Sequence, residues 1–275
     1  MTSSPPARRF DWSNLGIRAV SAVVLIPAVV AAVWLGGWPF VIMLTVAVGL
    51  LAREWGFMTA PKSPYLLAVI IGVAVMFGVV VAQFGFYRLA WLAAVLGAAA
   101  AGLAARGAVE RRADAAYGVV YLAPAFIALV WLRAMPHGIG WTLMVFIVAW
   151  SADIFAFLTG SALKGPKLWP RISPNKTWSG LFGGLLAAIL AGVLVNFITR
   201  LGLTWPLAAL AGLAGGAATM AGDLWESFLK RRFGVKDSGD LIPGHGGLLD
   251  RVDGLLFAVV AVAAIRLIVH YGWAF

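Results

Sequence analysis

Six of the eleven acidic residues in this 275-residue chain, Asp223, Glu226, Asp237, Asp240, Asp250 and Asp253, fall between Gly222 and Asp253. If a helix runs on past Gly222, then Asp223, Glu226, Ser227 and Lys230 stand at i, i+3, i+4 and i+7 and share one face. Asp250 and Asp253 stand one turn apart where the next apolar run begins. Carboxylates facing each other across a helix pair suit Mg²⁺, which takes a few protein oxygens, waters and substrate phosphates. The same residues also make ordinary solvated ion pairs at a helix end. Between the acids lie Lys236-Asp237-Ser238-Gly239 and Pro243-Gly244-His245-Gly246-Gly247. Glycines there let backbone N–H groups approach an anion, and a following helix N-terminus adds its positive dipole end. A tight re-entrant turn has the same needs. His245 fits a metal ligand, a phosphate donor or a loop histidine equally well.

A second polar stretch reads Ser173-Pro174-Asn175-Lys176-Thr177, after Lys164, Lys167 and Arg171. Hydroxyl, ammonium and backbone donors near a helix start can bind phosphate, although no P-loop pattern is present. A capped helix preceded by topology-setting cations explains the stretch as well. Asp153 lies well inside an apolar run, where a carboxylate is costly and is either functional or paired. Arg266 is similarly placed, to pair within the bundle or to snorkel.

The elements that must position these groups follow from composition. The chain is 62% hydrophobic and 12% charged, whereas soluble domains carry about 25% charge. Apolar windows of about 20 residues, enough to cross roughly 30 Å of hydrocarbon, recur along it. They give nine spans, near 17–35, 39–55, 65–84, 87–105, 117–134, 141–159, 179–198, 204–222 and 254–272. The fold expected is an all-α, polytopic transmembrane helical bundle. The first run is too long for a cleaved signal peptide and lacks a cleavage site, so it stays as a helix. The absence of cysteine excludes disulfides, thiolate metal sites and a cysteine nucleophile.

Of 21 Lys and Arg, 17 fall at the N-terminus or after the second, fourth, sixth and eighth spans. Cations flanking spans stay in the cytoplasm, so the N-terminus and both polar loops, 160–178 and 223–253, are expected there. Residues 1–140 read as a scaffold of transmembrane helices and 141–275 as the catalytic region. Most of the 13 Trp mark span ends as interfacial anchors. The Arg106–Arg112 cluster suits topology and anionic lipid, and no nucleic acid is expected as a partner.

The run Ser227-x-x-Lys230-Arg231-x-x-x-x-Lys236-Asp237-Ser238-Gly239-x-x-Ile242-Pro243-Gly244-His245-Gly246-Gly247-x-x-Asp250-Arg251-x-Asp253 closely resembles the signature of phosphatidate cytidylyltransferases, or CDP-diacylglycerol synthases. Gly222-Asp223-Leu224-x-Glu226 and Ser173-Pro174-Asn175-Lys176-Thr177 resemble that family too. The motifs cover only the C-terminal half, and the N-terminal half agrees in size and hydropathy. The resemblance implies that CTP and phosphatidic acid become CDP-diacylglycerol and pyrophosphate, with Mg²⁺ required and room for a second cation. It assigns Asp223 and Asp250 to the metal, with Asp253 or Glu226 in its outer shell. Lys230, Lys236 and Asp237 join Asp223 and Asp250 as catalytic residues. Ser173, Asn175, Lys176, Ser227, Arg231, Ser238, His245, Gly246, Gly247 and Arg251 become substrate-binding residues. It also suggests a homodimer among membrane lipids. Composition rich in Ala, Gly and Arg points towards a bacterial inner membrane, with the site facing the cytoplasm.

Two other readings compete. A related enzyme acting on an isoprenoid ether lipid shares the chemistry. A secondary transporter also gathers charge near broken helices, but at the bilayer midplane rather than one boundary.

Overall fold

Long runs of Ala, Val, Leu and Ile in lipid must become helix, because hydrocarbon offers no partner to a free N–H or C=O. The computed structural model describes residues 12–105, 112–239 and 246–271. Nine helices occupy them in chain order: α1 (Trp12–Leu35), α2 (Gly37–Thr59), α3 (Pro64–Gln83), α4 (Tyr87–Ala104), α5 (Arg112–Ala134), α6 (Gly138–Leu163), α7 (Trp178–Thr199), α8 (Trp205–Arg232) and α9 (Leu249–His270). They match the nine expected spans one for one. Eight are long and apolar enough to cross a membrane, and the described apolar part of α1 is Leu25–Leu35.

Two boundaries move in ways that matter for chemistry. The 28-residue α8 continues ten residues past Gly222 to Arg232, so the expected loop 223–253 shrinks to a connection between Arg232 and Leu249. Loop 160–178 is likewise largely structured. It holds an antiparallel hairpin of β1 (Lys167–Trp169) and β2 (Ser173–Thr177), with Lys167 opposite Thr177 and Trp169 opposite Ser173. Its turn follows from Pro170, whose fixed φ suits the second position of a β-turn closed by Ile172 N donating to Trp169 O at 3.2 Å. Thr177 ends the hairpin by accepting Gly180 N at 3.1 Å, which caps α7.

Packing follows small residues rather than a hydrophobic drive, since lipid tails are as apolar as leucine. A Cβ on Gly192 of α7 would lie 2.6 Å from Ala208 O and 2.8 Å from Gly212 Cα of α8, so these backbones touch. α5 is the most enclosed helix, burying Leu122, Ile127, Leu132 and their neighbours between α2, α3, α4, α6 and α9. Outward faces carry Phe157, Leu186, Leu190 and Leu194, all exposed, as a lipid-facing surface requires.

Candidate active site

The polar residues converge at the end of the bundle where α2, α6 and α8 finish and α7 and α9 begin. α8 and α9 approach closely there, because glycine lies on both sides of the crossing. A Cβ on Gly222 would sit 2.6 Å from Asp253 O, and one on Gly254 would sit 2.8 Å from Asp223 Oδ1. Only glycine allows this crossing, and its result is to set Asp223 beside Asp253. The expected helical face is present, so Asp223, Glu226, Ser227 and Lys230 all project from α8 as the spacing requires.

Lys230 ties the two helices together. Its Nζ lies 2.6 Å from Glu226 Oε2 and 2.5 Å from Asp250 Oδ1. Glu226 is 1% exposed, and its Oε1 has no hydrogen-bond partner among the described residues. The other Asp250 oxygen accepts Ser238 N, Ser238 Oγ and Gly247 N, each at 3.0 Å. Three donors on one oxygen fold the segment after α8 back onto the first turn of α9. A Cβ on Gly247 would collide with Ser238 Oγ and lie 2.8 Å from Glu54 Oε2, so a side chain at 247 would break this turn.

The hairpin supplies the opposite wall. Lys176 Nζ donates to Asp223 Oδ2 at 2.6 Å. Strand alternation turns Lys176 to the other face from Ser173 and Asn175, which make no side-chain hydrogen bond among the described residues. Asp153 of α6 shares its electrostatic surroundings with Asp223, Lys176 and Arg251, so it belongs to this site, although spacing placed it only inside a span. Ser227 is half-buried and makes no side-chain hydrogen bond among the described residues, whereas Arg231, Lys236 and Asp237 are exposed. Gly246 adopts φ +81°, a conformation that favours glycine. His245 and Asp240 lie outside the described residues.

One member of the site gives no signal in the motifs. Glu54 of α2, 1% exposed, accepts Ser238 Oγ at 3.2 Å, Leu248 N at 2.7 Å and Leu249 N at 2.7 Å. Next to it Trp55 donates Nε1 to Asp114 O at 3.1 Å and stacks edge-on with Phe233. Arg232 pairs with Asp114 of α5. The N-terminal helices therefore hold the connection between α8 and α9 from below.

Asp153, Asp223, Glu226, Asp250 and Asp253 face Lys176, Lys230 and Arg251. The carboxylates outnumber the cations, all donors are hard oxygens, and Glu226 Oε1 is an orphan in a buried place. That donor set suits Mg²⁺. Among the described residues, no three His, Asp or Glu side chains already stand at metal-holding spacing, and Lys176 and Lys230 sit on the acids. Such a site can attract a cation and polyphosphate together and hold both against the membrane surface.

Known proteins resemble this chain along most of its length. Residues 16–269 match the profile of the Cytidylyltransferase family. The phosphatidate cytidylyltransferase of Brucella abortus is 37% identical over 267 residues, covering 90% of this chain and 91% of the relative. That of Rickettsia bellii is 33% identical over 252 residues, covering 89% and 87%. The Pseudomonas aeruginosa enzyme of the same name is 43% identical over 149 residues, 54% of this chain and 55% of its own. With matches this long and a carboxylate–lysine site at one end of a helical membrane bundle, the chain belongs to the cytidylyltransferase family and is a nucleotidyltransferase.

Proposed function

We propose that this protein transfers the cytidylyl group of CTP to phosphatidate, giving CDP-diacylglycerol and pyrophosphate, as a step of phospholipid biosynthesis. The observation that carries the reading is the cluster of acids and lysines built by α8, α9 and the hairpin at the boundary of an otherwise apolar bundle. A lipid phosphate resting at that boundary can reach it while its acyl chains stay among the helices. Positive residues gather at the same end, which supports a cytoplasmic site where CTP is available.

A phosphate oxygen of phosphatidate attacks the α-phosphorus of CTP, the bond to the β-phosphate oxygen breaks, and pyrophosphate leaves. The attacking oxygen is already anionic at neutral pH, so no protein nucleophile is needed. The work of the chain is to align two polyanions and stabilise charge that spreads over phosphoryl oxygens. Asp223 and Asp250 would hold Mg²⁺, with Glu226 and Asp253 behind them, and the ion when bound would offset phosphate charge. Lys176 and Lys230, on flexible stems, exchange a carboxylate for a phosphate oxygen when substrate arrives. Lys176 reaches from the hairpin and Lys230 from α8, so the phosphates are gripped from two walls. The Gly246–Gly247 turn and the start of α9 give their backbone N–H groups to Asp250 and Glu54, which holds the carboxylates in place beneath the phosphates.

The test is pyrophosphate release by the purified protein with CTP, Mg²⁺ and a panel of phosphatidates and isoprenoid ether-lipid phosphates. Turnover with acyl phosphatidate, lost on adding EDTA, is the expected result. Preference for the ether lipid would move the substrate, and CTP-independent solute uptake into proteoliposomes without turnover would overturn the reading.

A further inference from the structure

We propose that Glu54 of α2, more than a hundred residues before the motifs, is a positioning residue that aims Asp250, an inference that rests on the function proposed above. Leu248, the residue before α9, has no side-chain cap of its own to offer. The first N–H groups of a helix lack intrahelical partners and carry its positive dipole end. Here Glu54 does the capping from another helix, with Oε1 on Leu248 N and Oε2 on Leu249 N, both at 2.7 Å. A carboxylate satisfying two adjacent orphan donors fixes both the start and the direction of α9.

The same carboxylate reaches Asp250 by a second route. Ser238 Oγ lies 3.2 Å from Glu54 Oε2 and 3.0 Å from Asp250 Oδ2. The hydroxyl has one proton for two carboxylates, so it donates to one of them at a time and stands between them, which sets their separation. Asp250 is one residue beyond Leu249, within the first turn that Glu54 caps. Its position is thus constrained through the backbone by the cap and through its side chain by Ser238. α2 can act as an anchor because Trp55, the next residue, is tied to Asp114 O and packed against Tyr117, Tyr121 and Phe233.

The test compares Glu54→Gln, Glu54→Asp and Ser238→Ala with the wild type in detergent, all confirmed as folded by gel filtration. Glu54→Gln turns one acceptor into a donor facing backbone N–H groups, and kcat is expected to fall about tenfold or more with KM for CTP within about twofold. Glu54→Asp should recover part of that loss. In an Asp250→Asn background the Glu54→Gln and Ser238→Ala effects should largely vanish, because residues acting through one group are not additive. Hydrogen exchange at Leu248 and Leu249 should quicken in Glu54→Gln, a readout that survives even if the wild type shows no turnover with phosphatidate. If Glu54→Gln does not fold, Ser238→Ala alone carries the test. Unchanged kcat in the folded variants, or losses fully additive with Asp250→Asn, would overturn the proposal.

Discussion

Replacing Lys230 by methionine removes one ammonium from between two acids and keeps most of the side-chain volume. Lys230, Glu226 and Asp250 side chains are 13%, 1% and 9% exposed, so the charges left behind are poorly reached by water. Removing one partner of such a buried pair costs about 3–5 kcal/mol. At roughly 2–4 °C per kcal/mol, the melting midpoint should drop by about 6–20 °C. Arg232→Met is the internal comparison, since that pair with Asp114 is 35% and 11% exposed, and it should cost about 0–1 kcal/mol after solvent screening. Adding Glu226→Gln to Lys230→Met removes the uncompensated buried charge, so at least half of the lost stability should return. Activity should not return with it. An ammonium aimed at developing phosphoryl charge is worth about 10²–10³ in kcat, and the double variant still lacks it. The assay is thermal unfolding in one detergent at one scan rate, paired with pyrophosphate release. Equal midpoints for Lys230→Met and Arg232→Met, or a midpoint that Glu226→Gln leaves unmoved, would refute the reasoning.

Other outcomes follow from the same geometry. Asp223→Asn and Asp250→Asn should each lower kcat by about a hundredfold or more, and EDTA should abolish wild-type turnover until Mg²⁺ is restored. Lys176→Gln should reduce kcat/KM about 10–150-fold by losing a charge-assisted phosphate contact, whereas Lys167→Gln, exposed on the same hairpin, should stay within about twofold. Gly222→Ala forces a methyl to 2.6 Å from Asp253 O, so it should destabilise the protein by about 1–3 kcal/mol and separate Asp223 from Asp253. Denaturation and turnover measured on the same preparation check that pair of effects.

The nine spans were legible because bilayer thickness sets helix length and lipid forbids alternatives. The face of Asp223, Glu226, Ser227 and Lys230 was legible because helical period is fixed by backbone geometry, needing only that α8 continue. Glu54 was not. A single glutamate near the end of an apolar helix has no periodic companion, and its partners lie 184 to 195 residues away. The hairpin escaped notice for a different reason: Ser173-Pro174-Asn175-Lys176-Thr177 has little strand preference of its own, and pairing with β1 overrides it. Spacing also could not separate Lys176, which reaches Asp223, from Ser173 and Asn175 on the other strand face. Nor could it separate Lys230 between two acids from exposed Arg231 and Lys236, which share its charge.

The distance between Glu54 and its partners has a consequence for how the protein is made. At about 5–20 residues per second, a ribosome needs roughly 10–40 s after finishing α2 to produce Leu249. Throughout that interval Glu54 has neither Ser238 nor the start of α9 to accept from, and Asp223 and Glu226 emerge before Asp250 exists. Lys176 and Lys230 can already pair with Asp223 and Glu226 in such a nascent chain, but Glu54 has no helix start to cap and Lys230 lacks its second acid. The site therefore closes only when α9 packs against α8 and α5 and its first turn meets Glu54.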